Sequence, residues 1–387
     1  MHGRVSMKSA TVKNKVIRVL GIRGIPASHG GFETFAEFLS LYLVDQGWKV
    51  IVYCQESGEG GLFEDVWKGV HRVRIPVKNE GAAGTIVFDW LSTRHAAQSK
   101  ELVLTLGYNT AIFCSLLRIK KIPNIINMDG IEWKRQKWGV VAKTWFYLNE
   151  RAGCWLGNHL VADHPEIKKH LATRVREDKI TTIAYGAEQL SGLDSALLDE
   201  YGLLPNGYMT LIARPEPENS ILEVIEGFSK ENRGCKLVVL GNYDPEKNPY
   251  HKKVQDAASS EVVFLGAIYD KEVLSVLRFF SLAYIHGHQV GGTNPSLVEA
   301  MGASNPVLAH DNKFNRWVLR DGGRYFSDAA SLSKWVAEIL NNVALRQEMR
   351  DEVIRRYENE FTWEKILKKY EDMLVSFLPS NDVKNLK

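Results

Sequence analysis

Short apolar segments alternate with longer segments whose apolar residues recur at helical spacing along most of the chain. This alternation predicts repeated strand–helix–strand units, because strands that are buried on both faces read as continuous apolar runs. We therefore predict an α/β protein with two doubly wound, parallel sheets. The predicted strands are 16–22, 49–53, 101–106, 124–127 and 159–162 in the first half, and 208–213, 236–240, 262–265, 282–285 and 306–309 in the second.

The chain length and one gap in the pattern predict the domain division. A chain of 387 residues is long for one hydrophobic core and suits two. Helical and strand signals both lapse near Gly186, so we place the domain break there. The predicted division is an N-terminal Rossmann-like domain at 1–186 (with 1–14 as a flexible extension), a C-terminal Rossmann-like domain at 187–358 and a closing amphipathic helix within 359–387.

Composition narrows the class of protein. An apolar content of 45% and a charged content of 25% are ordinary for a soluble protein, and a net charge of +3 is too small to indicate nucleic-acid binding. No apolar run reaches membrane-spanning length, and no signal-peptide pattern is expected. Four separated cysteines without a Cys-x-x-Cys pair predict buried free thiols in a reducing cytoplasm: Cys54, Cys114, Cys154 and Cys235.

The predicted strand 282–285 is followed by a glycine-rich turn and a helix. Asn294 suits the N-cap position and Pro295 the first helical position. Backbone N–H groups and the positive end of the helix dipole would meet at this turn, which favours a phosphate or diphosphate ligand. Glu299 is a candidate acceptor for nucleotide sugar hydroxyls; the alternative is a tight turn with a solvated glutamate. The candidate donor-binding residues of this segment are His286, Gly291, Gly292, Thr293, Asn294 and Glu299.

Other strand ends add candidates. Arg214 follows the strand 208–213 directly, and its guanidinium could neutralise a diphosphate; the alternative is a surface arginine paired with Glu216 or Glu218. Turn residues after two neighbouring strands are candidates for backbone contacts to a nucleobase, or are simple turns: Gly241, Asn242, Gly266, Ala267 and Ile268.

Gly30 and Gly31 lie where the first predicted helix begins, so their backbone could approach a charged ligand closely. A purely structural turn is an equal alternative. The surrounding residues do not form the Gly-x-Gly-x-x-Gly pattern of dinucleotide binders, and only Glu56 near the second strand speaks for a nicotinamide cofactor.

Asp129 follows the predicted strand 124–127. It is a candidate to orient an acceptor hydroxyl, to hold a donor hydroxyl or to act as general base; the alternative is a plain Asp-Gly turn. Beyond it, basic and aromatic residues interleave, which suits anionic lipid headgroups or a pyrophosphate-linked acceptor; the alternative is a solvated basic face backed by core aromatics. The candidate residues for contact with the acceptor or the membrane are Glu132, Trp133, Lys134, Arg135, Lys137 and Trp138.

The order and spacing of these motifs resemble the retaining glycosyltransferases of family 4, which have the two-domain GT-B fold. The similarity extends over nearly all residues from Val16 onward. It implies an N-terminal acceptor domain, a C-terminal domain for a nucleotide-sugar donor, a cleft between them, and a last helix that returns to the first domain. The matching pieces are the Gly30-Gly31 loop, Arg214, Gly266, the helix that begins at Asn294 and the Phe361-Thr362-Trp363-Glu364 segment.

Three stretches, 21–34, 129–138 and 286–295, are similar to the branch that contains bacterial rhamnosyltransferases of capsule and lipopolysaccharide assembly. This resemblance implies dTDP-L-rhamnose as donor and a lipid-linked saccharide as acceptor. It also implies that Glu299 binds the ribose. Two departures stand out: Gly291 replaces the family glutamate that usually contacts the donor sugar, and Asn219 or Ser220 stands about where the family has a phosphate-binding lysine.

We therefore predict a metal-independent, retaining glycosyltransferase of cell-surface polysaccharide synthesis, with Asp129 and Arg214 in the reaction and no cofactor. The chain has no Asp-x-Asp metal site in a fitting place, so amides, helix dipoles and Arg214 must stabilise the leaving diphosphate. We expect a cytoplasmic protein with peripheral contact to the inner face of the cell membrane. The alternatives are a UDP- or GDP-hexose donor, or a catalytically silent protein that binds a nucleotide sugar.

Overall fold

The computed structural model describes residues 15–28, 30–78 and 81–378. Within them the chain forms two mainly parallel sheets with helices between the strands, so the predicted α/β class is confirmed. The predicted N-terminal extension, residues 1–14, lies outside the described residues.

The first sheet has eight strands in the described part of the chain. Its strands are β1 (Val16–Leu20), β2 (Lys49–Ser57), β3 (Phe63–Trp67), β4 (Val70–Val77), β5 (Leu102–Leu106), β6 (Asn124–Asn127), β7 (His159–Ala162) and β8 (Ile180–Thr182). They lie in the order β3-β4-β2-β1-β5-β6-β7-β8, and β3 pairs antiparallel with β4. Its helices are α1 (Gly31–Asp45), α2 (Gly81–Ala96), α3 (Ser115–Ile119), α4 (Val140–Leu156) and α5 (Pro165–Leu171).

The second sheet has six strands, all paired in parallel. They are β9 (Tyr208–Ile212), β10 (Lys236–Leu240), β11 (Val262–Gly266), β12 (Tyr284–His286), β13 (Val307–His310) and β14 (Gly323–Phe326). Their order is β11-β10-β9-β12-β13-β14. The remaining helices are α6 (Ile221–Ser229), α7 (Pro249–Asp256), α8 (Lys271–Phe279), α9 (Pro295–Gly302), α10 (Lys313–Leu319), α11 (Ala329–Asn341), α12 (Val343–Glu360) and α13 (Trp363–Ser376).

Strand β10 shows why these strands read as continuous apolar runs. Its residues alternate between two hydrophobic clusters, with Leu237 and Val239 in one and Val238 and Leu240 in the other. Since side chains on a strand point alternately to opposite faces, helices must cover both faces of this sheet. A polar residue at any of these four positions would therefore meet a hydrophobic environment.

Strands β3, β4, β8 and β14 were not predicted. Strand β4 alternates buried apolar residues with His71, Arg72 and Arg74, which breaks the apolar run that marked the other strands. Strand β3 is an edge strand with a mostly exposed pattern, so packing leaves little periodicity in its sequence. Strand β12 also begins at Tyr284, two residues later than predicted, although Leu282 and Ala283 are buried.

Contacts between Cα atoms divide the chain into two compact units. Unit 1 contains Met1–Met128, Asn149–Leu160 and Leu367–Lys387, and unit 2 contains Asp129–Leu148 and Val161–Ile366. The units are therefore discontinuous in the chain, in contrast to the predicted division at 186. The two sheets are separated in the chain, since β8 ends at Thr182 and β9 begins at Tyr208. The domain boundaries drawn from the sequence stay a prediction.

The four cysteines are free and buried, as predicted. Among the described residues, no helix combines the length and the apolar composition that crossing a membrane requires.

Helix α13 is amphipathic, as the spacing of its apolar residues predicted, and Tyr370 and Leu374 are buried. Within unit 1, Glu371 of this helix is only 6% exposed and accepts three hydrogen bonds. The donors are Lys15 Nζ at 3.2 Å, Trp48 Nε1 at 3.2 Å and Tyr42 Oη at 3.0 Å. Burial alone would raise the pKa of Glu371, but these donors outweigh it and the pKa is lowered. The carboxylate therefore ties the last helix to the first strand and helix of unit 1.

We predict that Glu371→Gln destabilises the protein by about 1–3 kcal/mol at pH 7, because a buried charge-assisted network loses its acceptor. The folded-state pKa of Glu371 is lowered, so its contribution is present above the unfolded-state pKa and disappears as the pH falls through the folded-state value. Urea unfolding at pH 7 and at pH 4 measures both effects. Glu364→Gln, on the exposed side of the same helix, is the control. Equal stability of the two variants at pH 7 would contradict the prediction.

Candidate functional site

The glycine-rich segment after β12 forms the turn that the sequence predicted; we call residues 287–294 the glycine turn. The side chain of Asn294 caps helix α9 by accepting a hydrogen bond from Ser296 N at 3.0 Å, and Pro295 is its first residue. Gly291 has a φ of 141°, in the region that favours glycine. The turn therefore carries a helix N-terminus beside backbone that only glycine adopts without strain, which suits an anionic ligand.

Other parts of the chain approach Gly287 and Gly292 of the glycine turn so closely that neither residue could carry a side chain. A Cβ atom on Gly287 would lie 2.0 Å from the carbonyl oxygen of Asn219, and one on Gly292 would lie 2.0 Å from both carboxylate oxygens of Asp163. A Cβ atom on Gly130 would lie 3.8 Å from Gly291 Cα. The turn is thus held between the chain after β6, the chain after β7 and the loop before α6.

Asp163, which directly follows β7, makes the closest contacts with the glycine turn. Thr293 N donates a hydrogen bond to Asp163 Oδ2 at 3.0 Å, and the Thr293 hydroxyl donates a short one to the Asp163 carbonyl oxygen. Asp163 Oδ1 is buried and has no hydrogen-bond partner among the described residues. Burial, and then the Asp129 carboxylate, raise the pKa of Asp163 to about 7.

Asp163 was not predicted from the sequence. It stands at the end of β7 as Asp129 stands near the end of β6, and that shared position is the signal that could have found it. Asp129 has a φ of 51°, and its pKa is raised, first by burial and then by Glu132. Two carboxyl groups with raised pKa values therefore lie in one electrostatic environment beside the glycine turn.

Arg214 lies at the carboxyl end of β9, as predicted, and is exposed. It pairs with neither Glu216 nor Glu218 among the described residues, so the predicted alternative of a neutralised surface arginine is not what the structure shows. Glu218 is buried and instead accepts hydrogen bonds from Arg135 Nη1 at 3.5 Å and Gln136 N at 3.3 Å. The Arg214 side chain is therefore exposed and has no ion-pair partner among the described residues.

Arg135 and Lys137 are two further cations that share electrostatic interactions with Arg214. We call these three residues the basic cluster. The pKa of Lys137 is lowered, first by removal from water, then by Arg135, with a smaller effect of Arg214 in the same direction. The pKa of His288 is lowered to about 3, first by burial and then by Arg135 and Arg214. Arg135 is paired with Glu132 and Glu218, so Lys137 and the exposed Arg214 are the cations of the cluster that have no ion-pair partner among the described residues.

His286, a predicted donor contact, is only 1% exposed. Its ring stacks on that of His288, with centroids 4.4 Å apart and planes at 11°. Burial, and then His288, lower the pKa of His286 well below its ordinary value, so both rings are neutral near pH 7. Of the two, His288 is the less buried and is the one next to the arginines.

Glu299, the predicted ribose-binding residue, lies in the second turn of α9 and is held by Arg278 of α8. The distance between Arg278 Nη2 and Glu299 Oε2 is 2.5 Å, and the Arg278 side chain is 9% exposed. This ion pair fixes the orientation of the carboxylate, whose side chain is 34% exposed. Arg278 was not predicted, because no sequence pattern joins α8 to α9.

The other predicted donor contacts lie at the ends of β10 and β11. Gly241 N donates to the Gly266 carbonyl oxygen at 2.9 Å, and a Cβ atom on Gly241 would lie 2.6 Å from the Ala213 carbonyl oxygen. Asn242 and Ala267 are exposed, whereas Ile268 packs against a hydrophobic cluster.

Gly30 and Gly31 belong to unit 1. Gly31 is the first residue of α1, as predicted, and Gly30 is its N-cap with extended backbone.

The aromatic and basic segment after Asp129 folds on itself. Glu132 pairs with Arg135 at 2.7 Å and accepts from Trp138 Nε1 at 3.3 Å. Trp133 lies edge-on to Tyr147, with Lys134 over its ring, and Trp138 packs against Phe146 with Lys137 over its ring. This packing resembles the predicted alternative of a basic face backed by aromatics. Besides burial, which is the main cause, Arg135 and Arg214 both lower the pKa values of Lys137 and His288, so these groups interact electrostatically.

Across residues 15–28, 30–78 and 81–378, no three histidine, cysteine, aspartate or glutamate side chains form a group that could hold a metal ion.

Comparison with known proteins follows the division into two sheets. Residues 14–188 match a domain of unknown function, DUF1972, and residues 206–356 match the glycosyl transferases group 1 domain. A phosphatidyl-myo-inositol mannosyltransferase of Mycobacterium leprae (strain TN) is 28% identical over 165 residues. That stretch spans 40% of this chain and 43% of the relative, less than half of either.

Solved structures match nearly the whole chain. Sucrose-phosphate synthase from Thermosynechococcus elongatus has a TM-score of 0.79 at 16% identity and covers 94% of this chain and 98% of its own. Anabaena HepE, in complex with UDP and glucose, has a TM-score of 0.74 at 13% identity and covers 93% and 99%. An α,α-trehalose-phosphate synthase from Burkholderia xenovorans has a TM-score of 0.71 at 10% identity and covers 93% and 100%. The chain therefore has the GT-B fold of these structures, and its residues 206–356 match the glycosyl transferases group 1 family.

Proposed function

We propose that this protein is a glycosyltransferase that takes a sugar from a nucleoside diphosphate and transfers it to a saccharide acceptor with retention of configuration. The observation that carries the proposal is the basic cluster of unit 2, in which Arg135 and Lys137 act on the same surroundings as an unpaired Arg214. The match of residues 206–356 to glycosyl transferases supports it. So do structural neighbours whose complexes contain UDP.

The basic cluster fits the needs of the leaving diphosphate. A nucleoside diphosphate leaves with more negative charge than it has in the donor, so groups that are already oriented towards it lower the barrier. Guanidinium groups bind phosphate oxygens bidentately, and the N-terminus of α9 adds its dipole. Each preorganised donor of this kind contributes roughly 3 kcal/mol to transition-state stabilisation.

Glu299 is the proposed contact of the nucleotide ribose. Arg278 already binds one carboxylate oxygen, Oε2, and the side chain remains partly exposed. A carboxylate that an ion pair already orients accepts a hydrogen bond from the 3′-hydroxyl of the nucleotide, which dTDP carries as well as UDP and GDP, without having to be ordered first. Asp129, next to the glycine turn, is the proposed group for a hydroxyl of the acceptor or of the transferred sugar.

The proposed donor is dTDP-L-rhamnose, because the stretches 21–34, 129–138 and 286–295 are similar to rhamnosyltransferases. Gly291 is consistent with a sugar that has one hydroxyl fewer to bind. A UDP- or GDP-hexose is the alternative donor, and the complexes of HepE with UDP and glucose support it for a protein of this fold.

Unit 1 offers a separate place for the acceptor. It contains a cavity of about 450 Å³ at the carboxyl ends of β1, β2 and β4. Its lining is mostly polar, as a saccharide requires. The lining residues include Arg23, Ser28, Gln55, Glu56, Ser57 and Thr85. We propose that this cavity binds the acceptor saccharide of a surface polysaccharide.

A lipid-linked acceptor would bring the protein to the inner face of the cell membrane. The start of α4 supports this, because Val140 and Val141 are 81% and 86% exposed and Leu148 is 58% exposed. Lys143 lies among them, so apolar and basic groups meet on one surface as peripheral membrane contact requires.

A second candidate function is that of a catalytically silent protein that binds nucleotide sugars. Gly291 supports it, because family 4 enzymes usually have a sugar-contacting glutamate there. Binding of a nucleotide sugar without product formation, across a panel of donors and acceptors, would favour this candidate over an enzyme.

We expect Arg214→Ala and Lys137→Ala each to weaken donor binding about 10- to 100-fold, since each removes a charge-assisted contact to the diphosphate. Glu299→Ala should weaken binding of dTDP-L-rhamnose and of dTDP alike, because both contain the same deoxyribose. Thermal shifts and calorimetry with dTDP-L-rhamnose, UDP-glucose and GDP-mannose measure these effects. Arg355→Ala and Lys334→Ala remove exposed cations elsewhere and are the matched controls. If the two control variants lose as much affinity as Arg214→Ala, the proposed diphosphate site is refuted.

We also predict that transfer continues in excess EDTA at an unchanged rate, because the diphosphate charge is met by guanidinium, ammonium and amide groups. The measurement is release of dTDP from dTDP-L-rhamnose before and after chelation. Loss of activity in EDTA that added Mg²⁺ restores would show that a divalent ion takes part in the reaction.

A further inference from the structure

We propose that Asp163 is a positioning residue of the donor site, which holds the glycine turn through Thr293 and takes up a proton when the nucleotide sugar binds. The inference rests on the proposed function for the identity of the ligand. The contacts of Asp163 with the glycine turn do not depend on it.

The first step is the geometry of the contact. A Cβ atom on Gly292 would lie only 2.0 Å from the Asp163 carboxylate oxygens. Oδ2 of this carboxylate accepts a hydrogen bond from Thr293 N at 3.0 Å. Thr293 is 3% exposed and immediately precedes Asn294, the N-cap of α9. The position of the carboxylate therefore sets the position of the residue that starts the helix, and with it the direction of the helix dipole.

The second step concerns the use of N–H groups in the turn. Asp163 occupies the N–H of Thr293, so this group is not available to a phosphate. A carboxylate so close to an anion site would repel the diphosphate if it stayed charged. A neutral carboxylic acid keeps the carbonyl-type oxygen that Thr293 N needs and removes that repulsion.

The third step is the direction of the proton linkage. Burial and then Asp129 raise the pKa of Asp163 to about 7, so about half of the molecules hold this proton at neutral pH. A bound diphosphate adds negative charge nearby and raises that pKa further. Binding must therefore take up protons from solution, and affinity must fall as the pH rises above 7.

The charged and titratable groups on the surrounding elements determine whether another residue could produce the same effect. The cations of these elements are Arg135, Lys137 and Arg214, and His286 and His288 are neutral near pH 7. On α5, burial lowers the pKa of His164 to about 4, and Glu166 pairs with Lys313. The other carboxylates of the region are Asp129, Glu132, Glu218 and Glu299, and Asp129 is electrostatically coupled to Asp163.

The experiment compares donor binding by wild-type protein, Asp163→Asn and Asp163→Ala between pH 6 and pH 8.5. UDP-glucose and dTDP-L-rhamnose are suitable probes, because a diphosphate that is esterified at both ends keeps its two negative charges throughout this pH range. We expect wild-type affinity to fall about five- to tenfold from pH 6 to pH 8.5. Asp163→Asn, which keeps an acceptor for Thr293 N, should change less than about twofold and bind as tightly as wild type at pH 6. Asp163→Ala should bind weakly at every pH. Asp178→Asn, at an exposed aspartate, is the control and should follow wild type.

Calorimetry of the wild-type protein in two buffers of different ionisation enthalpy provides a test that needs no variant. It should show uptake of a fraction of a proton per donor bound at pH 7.5. A pH profile of Asp163→Asn that is parallel to wild type, or no proton uptake, would overturn the proposal.

A ligand-free measurement separates failure of this inference from failure of the proposed function. An acid whose folded-state pKa is raised from its unfolded value to about 7 destabilises the folded state as it ionises. The stability of wild type relative to Asp163→Asn should therefore decrease as the pH rises from about 4 to about 7 and then stay constant. If this difference is seen but no nucleotide sugar binds, the proposed function fails while the protonation of Asp163 stands. If the difference is absent, the inference about Asp163 fails whatever binds.

Discussion

Chain segments approach Gly287 and Gly292 of the glycine turn so closely that neither position has room for a side chain, and the arrangement of the candidate site depends on this close approach. The carbonyl of Asn219 lies against Gly287, and the carboxylate of Asp163 lies against Gly292. These two contacts set the path of the chain from β12 into α9. A methyl group at either position would push the chain away by more than an ångström, and the N-terminus of α9 would move with it.

Local sequence was sufficient to predict the elements that lead into this turn. Buried strands are apolar throughout, and a helix start has side-chain requirements that Asn294 and Pro295 meet within two positions. The same holds for α13, whose apolar stripe is a repeat within one helix. Edge strand β3 and strand β4 were missed because charged residues on a half-exposed sheet leave no continuous apolar run.

Contacts between distant segments explain what sequence reasoning could not supply. Asp163 lies 130 positions from Thr293 in the chain, and Arg278 reaches Glu299 from a different helix. A glycine in a sequence can indicate that a side chain would not fit, but not which group occupies the space. Gly292 therefore did not predict the neighbouring carboxylate of Asp163. Lys137 is a similar case, because its electrostatic interaction with Arg214 joins the segment after β6 to the end of β9.

The stacked imidazoles of His286 and His288 have a consequence of their own. Histidine is usually the side chain that changes charge near neutral pH and serves as the general base. Here burial is the main cause that lowers both pKa values; His288 adds to it for His286, and Arg135 and Arg214 add to it for His288. The two nearly parallel rings therefore pack as a neutral aromatic pair and do not take up a proton near pH 7.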